Sequence, residues 1–504
     1  MKLQRAGVLV PVFMSLALLV FAGAPSKAAE KANFVVDIVN EPSSLDPQVQ
    51  WNPDSYYVYR NIFDNLVTRS DSGEFAPEVA SSWKTLSDTQ IEFTIRDDIR
   101  FHDGAPLTPA DVVFSVRRIT DPAFASPQLG QFNKIVKAEE TGPHTVTLTT
   151  DGPYPALLAQ LVKLSVVPKH VVEAVGDEAF NLNPIGSGPY RFDAWQRGVS
   201  VTLARNEAYW GRKGPFGTVV FRIVPDAATR VADLQAGAAD LVTALNSDIA
   251  AQLETSSNAK RLSALTERLA YLRLNPYKAP FDNRDVRRAA AYAIDKQGIV
   301  EGILGGDGRV LGQMLTPAHF GWSDDVAGLP YDPAQARALL GKAGAGAKAE
   351  IALATAPFFD QRVVQAVQQM MNDVGFNVSI NLMDTGSFLK LIQQGAADGP
   401  VFAASRSSCA CQDADGALIQ LFHSGNNWTI MSDPRLDEWL DAARATLDPD
   451  KRKDLYRKVG ELIAEEVPVI PLFQTVQIFG AAKPLQWTPT ANESLFLNRM
   501  AWVE

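Results

Sequence analysis

Residues 75–120 read FAPEVASSWKTLSDTQIEFTIRDDIRFHDGAPLTPADVVFSVRRIT, and the parsing of this stretch decides the fold. Ile91, Phe93 and Ile95 alternate with Glu92, Thr94 and Arg96, the two-residue period of a half-buried strand. Residues 83–86 predict its partner. Between them lie Ser87, Asp88 and Thr89, residue types whose side chains bond nearby backbone in turns. Asp103-Gly104 predicts a second turn. Thr108-Pro109-Ala110-Asp111 then predicts a helix start: Thr108 as N-cap, Pro109 at the first helical position, and Asp111 facing the positive end of the dipole. Val112, Val113, Val116 and Ile119 form its buried stripe. The unit is a hairpin, a turn and a helix, with no nucleophile or metal cluster in it.

Around it lies a chain of 504 residues, long enough for two to four domains, with 46% hydrophobic and 21% charged residues, as in globular proteins. The net charge of -10 argues against a nucleic-acid binder, which is usually basic. Lys2 and Arg5 followed by the apolar residues 8–21 and by Ser26-Lys27-Ala28 predict a secretory signal peptide, residues 1–28, cut after Ala28. The apolar run is too short for a good membrane span, and no cysteine follows it to carry a lipid. The expected mature chain is exported and soluble. Export permits disulfides. The two cysteines, Cys409 and Cys411, stand in SRSSCACQDADG, open to three readings: a strained local disulfide, two thiols, or part of a metal site with Asp413 and His423 nearby.

The opening unit contains the order P-E-x-A-x-S-W, strand, I-R-x-x-I-R-F-H-D-G-x-P-L-T-x-x-D-V-V-F-S, which is similar to the signature of the family 5 extracytoplasmic solute-binding proteins. These are the peptide, nickel and opine receptors of bacterial ABC importers. Further segments resemble the family in the same order: residues 41–47 (EPSSLDP), 185–192 (IGSGPYRF), 205–211 (RNEAYWG), 281–296 (FDNRDVRRAAAYAIDK) and 331–340 (YDPAQARALL).

The resemblance implies an α/β fold, a two-lobed periplasmic binding protein of type II with an extra subdomain and a two-crossing hinge. Residues 29–58, 185–272 and 478–504 are assigned to lobe I, 59–184 to the extra subdomain and 273–477 to lobe II. The hinge is placed near residues 271–275 and 472–477. Alternating strands and helices, such as residues 219–224, 228–236 and 240–242, support an α/β sheet independently. A helix is expected over residues 54–66, carrying Tyr56, Tyr57, Tyr59 and Phe63 as core or as a ligand platform.

The implied function is to capture a small solute, a peptide or peptide-like compound, by hinge closure. The closed form is then delivered to permease subunits in the inner membrane, which work with ATPase subunits. A periplasmic monomer without a cofactor and without nucleic acid is expected. The alternatives are a secreted hydrolase on a similar scaffold and a periplasmic chaperone. Motifs give the hydrolase no support: G-x-S-x-G, H-E-x-x-H and G-x-x-x-x-G-K-[ST] are absent. His102 and His170 sit in motifs explained by turns and packing.

The resemblance also supplies candidate ligand contacts. Arg362 opens the helix after residues 356–360, where dipeptide-type members place an arginine for the ligand carboxylate. Residues 409–422 (CACQDADGALIQLF) correspond to a family loop D-x-x-D-P-D-x-x-x-x-x-F that supplies an Asp for the ligand amine. Asp413 and Asp415 fall on its second half. Ala410 and Ala414 replace the first Asp and the Pro, which weakens the case for a plain dipeptide. Tyr56 and Trp428 complete the candidate set.

Overall fold

The structure, a computed structural model, describes residues 28–49, 53–70, 72–344, 350–407 and 411–503. Residues 1–27 of the expected signal peptide and Cys409 lie outside the described residues. No helix among the described residues is long and apolar enough to cross a membrane.

Two long antiparallel strands, Ala259–Leu274 and Val469–Ala482, run side by side through the middle of an 11-stranded sheet. On one flank lie Leu241–Leu245, Lys31–Ile38, Phe216–Ile223, Ser200–Arg205 and Tyr190–Gln196. On the other lie Phe402–Ser407, Glu350–Thr355 and Asn377–Leu382, and the short strand Gly308–Val310 pairs beside Val469–Ala482. Each flank has its own core. One gathers Phe34, Val36, Phe216 and Phe221; the other gathers Leu272, Leu353, Val363 and Phe402. The structure is thus the mixed α/β, two-lobed architecture expected, and the lobes share one pair of strands.

The opening unit forms a third body. Ala80–Ser87 pairs with Gln90–Ile95, with Trp83 opposite Phe93, and Thr145–Thr150 and Ile135–Gly142 extend them to four antiparallel strands. The helix Pro109–Thr120 lays Val112, Val116 and Ile119 onto this sheet beside Phe93, Val146 and Leu148. Its start is held by Asp111, whose carboxylate accepts from the backbone N–H of Thr108 at 2.9 Å and from its hydroxyl at 2.8 Å. This body is tied to the first lobe through His102, whose ring bonds the Gly188 carbonyl at 3.0 Å. A Cβ at Gly186 would meet the Ile62 carbonyl oxygen at 2.0 Å, so only glycine allows the approach.

That approach corrects one expectation. The helix expected over residues 54–66 is Pro53–Tyr59. Beyond it the carbonyls of Asn61 and Ile62 accept from Tyr190 and Gly188, at 2.9 and 2.8 Å, instead of from the next helical turn. The tertiary partner overrides the aromatic periodicity.

Candidate functional site

The paired strands are not regular where they pass between lobes. Their register holds from Ala259↔Ala482 to Leu265↔Val476, shifts before Leu269↔Gln474, and shifts again between Ala270↔Phe473 and Tyr271↔Pro471. Thr266, Glu267 and Arg268 are therefore a bulge, a device that bends a strand and redirects side chains. Polar side chains hold it together. Thr266 donates to the Thr475 carbonyl at 3.0 Å, and Gln474 donates to the Thr266 carbonyl at 2.6 Å. Glu267 points to one side and accepts from the Gln412 N–H at 3.1 Å. Arg268 points to the other and pairs with Glu493 at 2.6 Å.

On the Arg268 side lies a cleft of about 1030 Å³, walled by both flanks of the sheet. The first lobe contributes Asp54, Tyr57, Arg230 and Asp248; the second contributes Phe358, Asp360, Arg362 and Arg406. Among the described residues, two of the five with positive φ other than glycine, Ala244 (φ 52) and Glu493 (φ 57), line it. A left-handed backbone is costly for such residues, and it clusters where geometry serves a site.

Most charges in the cleft already have partners. Arg230 donates to the carbonyls of Val224, Pro225, Thr243 and Ala244 at 2.7–3.1 Å. Asp307 pairs with Arg261. Arg362 pairs with Asp360 at 2.7 Å and, across the cleft, with Asp248 at 2.5 Å. Ser247 donates to the Leu304 carbonyl beside that bridge at 2.8 Å.

Arg406 differs. It stands opposite Ala270 in the sheet, opens onto the cleft, and lies over the Phe358 ring at 5.2 Å. Among the described residues it has no hydrogen-bond or carboxylate partner. Loss of hydration, together with the positive charge of Arg268 nearby, pulls its pKa down to about 10, against the opposing pull of Glu493.

The other candidate residues fall elsewhere. Tyr56 stacks edge-on against Tyr59 and lines a gap of about 10 Å³ with Arg69, Lys163 and Gln412. Its neighbour Tyr57 is the one that reaches the cleft. Trp428 packs between two apolar clusters of the second lobe. Asp413 and Asp415 do not line the cleft. Asp413 is buried at the N-terminus of the helix Ala414–Phe422, where Arg452 grips both its oxygens at 2.9 and 2.6 Å. Asp415, 1% exposed, pairs with Arg444 at 3.0 Å and accepts from the Tyr154 hydroxyl at 3.1 Å. Burial raises its pKa, which the nearby arginine opposes. Tyr154 belongs to the extra body, so this carboxylate joins it to the second lobe. Arg69 does the same by donating to the Cys411 carbonyl at 2.9 Å.

Cys411 is buried and disulfide-bonded, which removes the thiol reading. Asp413 and His423 cap opposite ends of their helix, about 15 Å apart by helical rise, too far to share an ion. Among the described residues, no group of three or more His, Cys, Asp or Glu could hold a metal. His170 bonds Asp103 at 2.7 Å on the surface.

A cleft between two lobes with a hinge-like strand pair is the geometry of a receptor. The model of the bacterial extracellular solute-binding proteins, family 5, matches residues 74–429. The chain belongs to that family. As a family 5 solute-binding protein it is read as a receptor in preference to a hydrolase.

Its relatives agree. It is 28% identical to the glutathione-binding protein GsiB of Escherichia coli O6:K15:H31 (strain 536) over 455 residues, covering 87% of this chain and 88% of that protein. Among solved structures, the ABC transporter substrate-binding protein CtaP of Listeria monocytogenes superposes with a TM-score of 0.87. It is 22% identical and covers 94% of this chain and all of its own. The binding protein AgaA of A. tumefaciens R10, solved with agropinic acid, gives a TM-score of 0.80 at 26% identity, covering 94% of this chain and 99% of its own.

Sequence reasoning missed Arg406 and Arg268. A signal was present: RLAYLRL and FAASRS place arginines in otherwise apolar or small-residue strands, where a charge needs a reason.

Proposed function

We propose that this family 5 protein works in the periplasm as the capture subunit of an ABC importer, binding a small peptide-like or opine-like solute between its lobes. The observation that carries this reading is the cleft of about 1030 Å³, walled by both lobes and lying against the pair of long strands that runs through both. Its size suits a small molecule. A solute touching both walls stabilises the closed form because it makes its full set of contacts only there. The bulge at residues 266–268 is the flexing point, and Arg362–Asp248 is a latch at the cleft mouth. GsiB and AgaA are named or solved with glutathione and agropinic acid, and this supports a compound of comparable size here. Asp413, Asp415, Tyr56 and Trp428 act on such a solute only indirectly: Asp415 fixes the second lobe against the extra body, and the others hold the packing around the cleft.

The test is native mass spectrometry of the protein purified from the periplasm of its own host. A small non-covalent solute, released on mild activation, is expected. Recovery only of bare protein, or of protein with unfolded polypeptides attached, would count against the receptor reading and, in the second case, favour a chaperone.

A further inference from the structure

We propose that Arg406 is the anchor for an acidic group of the solute, with the free oxygen of Glu493 taking a neighbouring donor, so that the ligand is a small organic acid bearing a hydroxyl or amine. This inference rests on the receptor reading above and adds the chemistry of the ligand to it. It comes from the charge pattern of the cleft wall. Arg268 and Arg406 project from adjacent strands. Arg406 is opposite Ala270, and Arg268 is two residues before it, a diagonal that long side chains span. Among the described residues, Glu493 is the carboxylate hydrogen-bonded to this pair, to Arg268 through Oε2. Among the described residues its Oε1 has no partner, and Arg406 has none at all.

A guanidinium that opens onto a cleft and has no hydrogen-bonded acid of its own is ready to take an anion that enters it. A carboxylate matches its planar fork with two parallel hydrogen bonds. The Phe358 ring lies beside the guanidinium, its centroid 5.2 Å away, and Glu493, with a left-handed backbone (φ 57), lines the cleft. The other cleft arginines are not equivalent. Arg230 is spent on four carbonyls, and Arg362 on two aspartates. The anchor therefore lies beside the bulge, where a bound anion also touches the strands that flex.

The test has two readouts on the full secreted chain. First, phenylglyoxal, which labels accessible guanidinium groups, is followed residue by residue by peptide mass spectrometry, with succinate and reduced glutathione as carboxylate probes and succinamide as the neutral control. Arg406 should label before the ion-paired Arg268 and Arg362, and a carboxylate probe should protect it where succinamide does not. Labelling no faster than Arg268, or protection by neither acid, would overturn the anchor.

Second, the solute released from the periplasmic protein is weighed and titrated into the parent, Arg406→Ala and Arg406→Lys. An anionic solute is expected, with the Ala variant weaker on the order of 30-fold or more and the Lys variant between the two. A neutral or cationic solute, held equally by Arg406→Ala, would overturn the anchor and leave the receptor reading intact. Release of no solute at all would remove both.

Discussion

Two zones join the second lobe to the rest of the molecule, and they handle charge in opposite ways. In the seam against the extra body, Asp415 is ion-paired with Arg444 and accepts from the Tyr154 hydroxyl, and behind it, inside the second lobe, Arg452 grips both oxygens of Asp413. In the cleft, among the described residues, Arg406 has no hydrogen-bond or ion-pair partner and Glu493 is hydrogen-bonded through one oxygen. A buried acid held by its own arginine is structure. A cation left without a partner of its own, facing a cavity, is the signature of a ligand. Both zones are rich in charge, so composition alone does not separate them; the count of partners does.

The largest expected effect lies behind the seam. Asp413→Ala strands the buried Arg452 guanidinium, and should cost about 3–5 kcal/mol in denaturant unfolding. A loss below about 1 kcal/mol with a large loss of solute affinity would move this loop from the seam into the binding site.

His102 offers a second test of the seams, through pH. Burial, partly offset by the bond to the Gly188 carbonyl, holds its pKa down to about 4 from 6.5. The unfolded chain then takes up a proton in that window and the folded chain does not. Stability should therefore fall as pH drops from 6.5 towards 4, by up to about 3 kcal/mol in total, and His102→Gln should flatten that limb. An identical acid limb in the variant would remove His102 as its cause.

The cleft should behave in the reverse manner. Among the described residues Arg406 contacts Phe358 and makes no hydrogen bond or ion pair, so in Arg406→Ala unfolding should change by about 1 kcal/mol or less while solute binding collapses. A large stability loss would place Arg406 with the seam residues. The smallest effect is expected at Arg362, a half-exposed side chain. Arg362→Ala should alter stability by less than about 1 kcal/mol, because solvent screens its pairs. Its readout is a more open average shape in scattering, and an unchanged shape would remove the latch.

The legible parts of the sequence are those set locally. The hairpin and helix of residues 75–120 declare themselves because strand period, turn residues, N-cap and apolar stripe all agree within one short stretch. The helix from Pro53 overran in the sequence reading because the groups that end it, Gly188 and Tyr190, lie far along the chain. Tyr56 was chosen where Tyr57 faces the cleft, a matter of helix rotation that a run of tyrosines leaves undetermined. The bulge at residues 266–268 was illegible because a register shift belongs to two strands at once. Arg406 carries no motif; its meaning is the absence of a partner, and that exists only in three dimensions.

The central claim is that a small solute draws the two lobes together across the cleft. Small-angle scattering of the secreted chain, before and after saturation with the solute released from its periplasmic form, tests it most directly. The account predicts a smaller radius of gyration in the saturated sample, and no such change in Arg406→Ala at the same solute concentration. An unchanged radius in the parent under saturation would contradict closure.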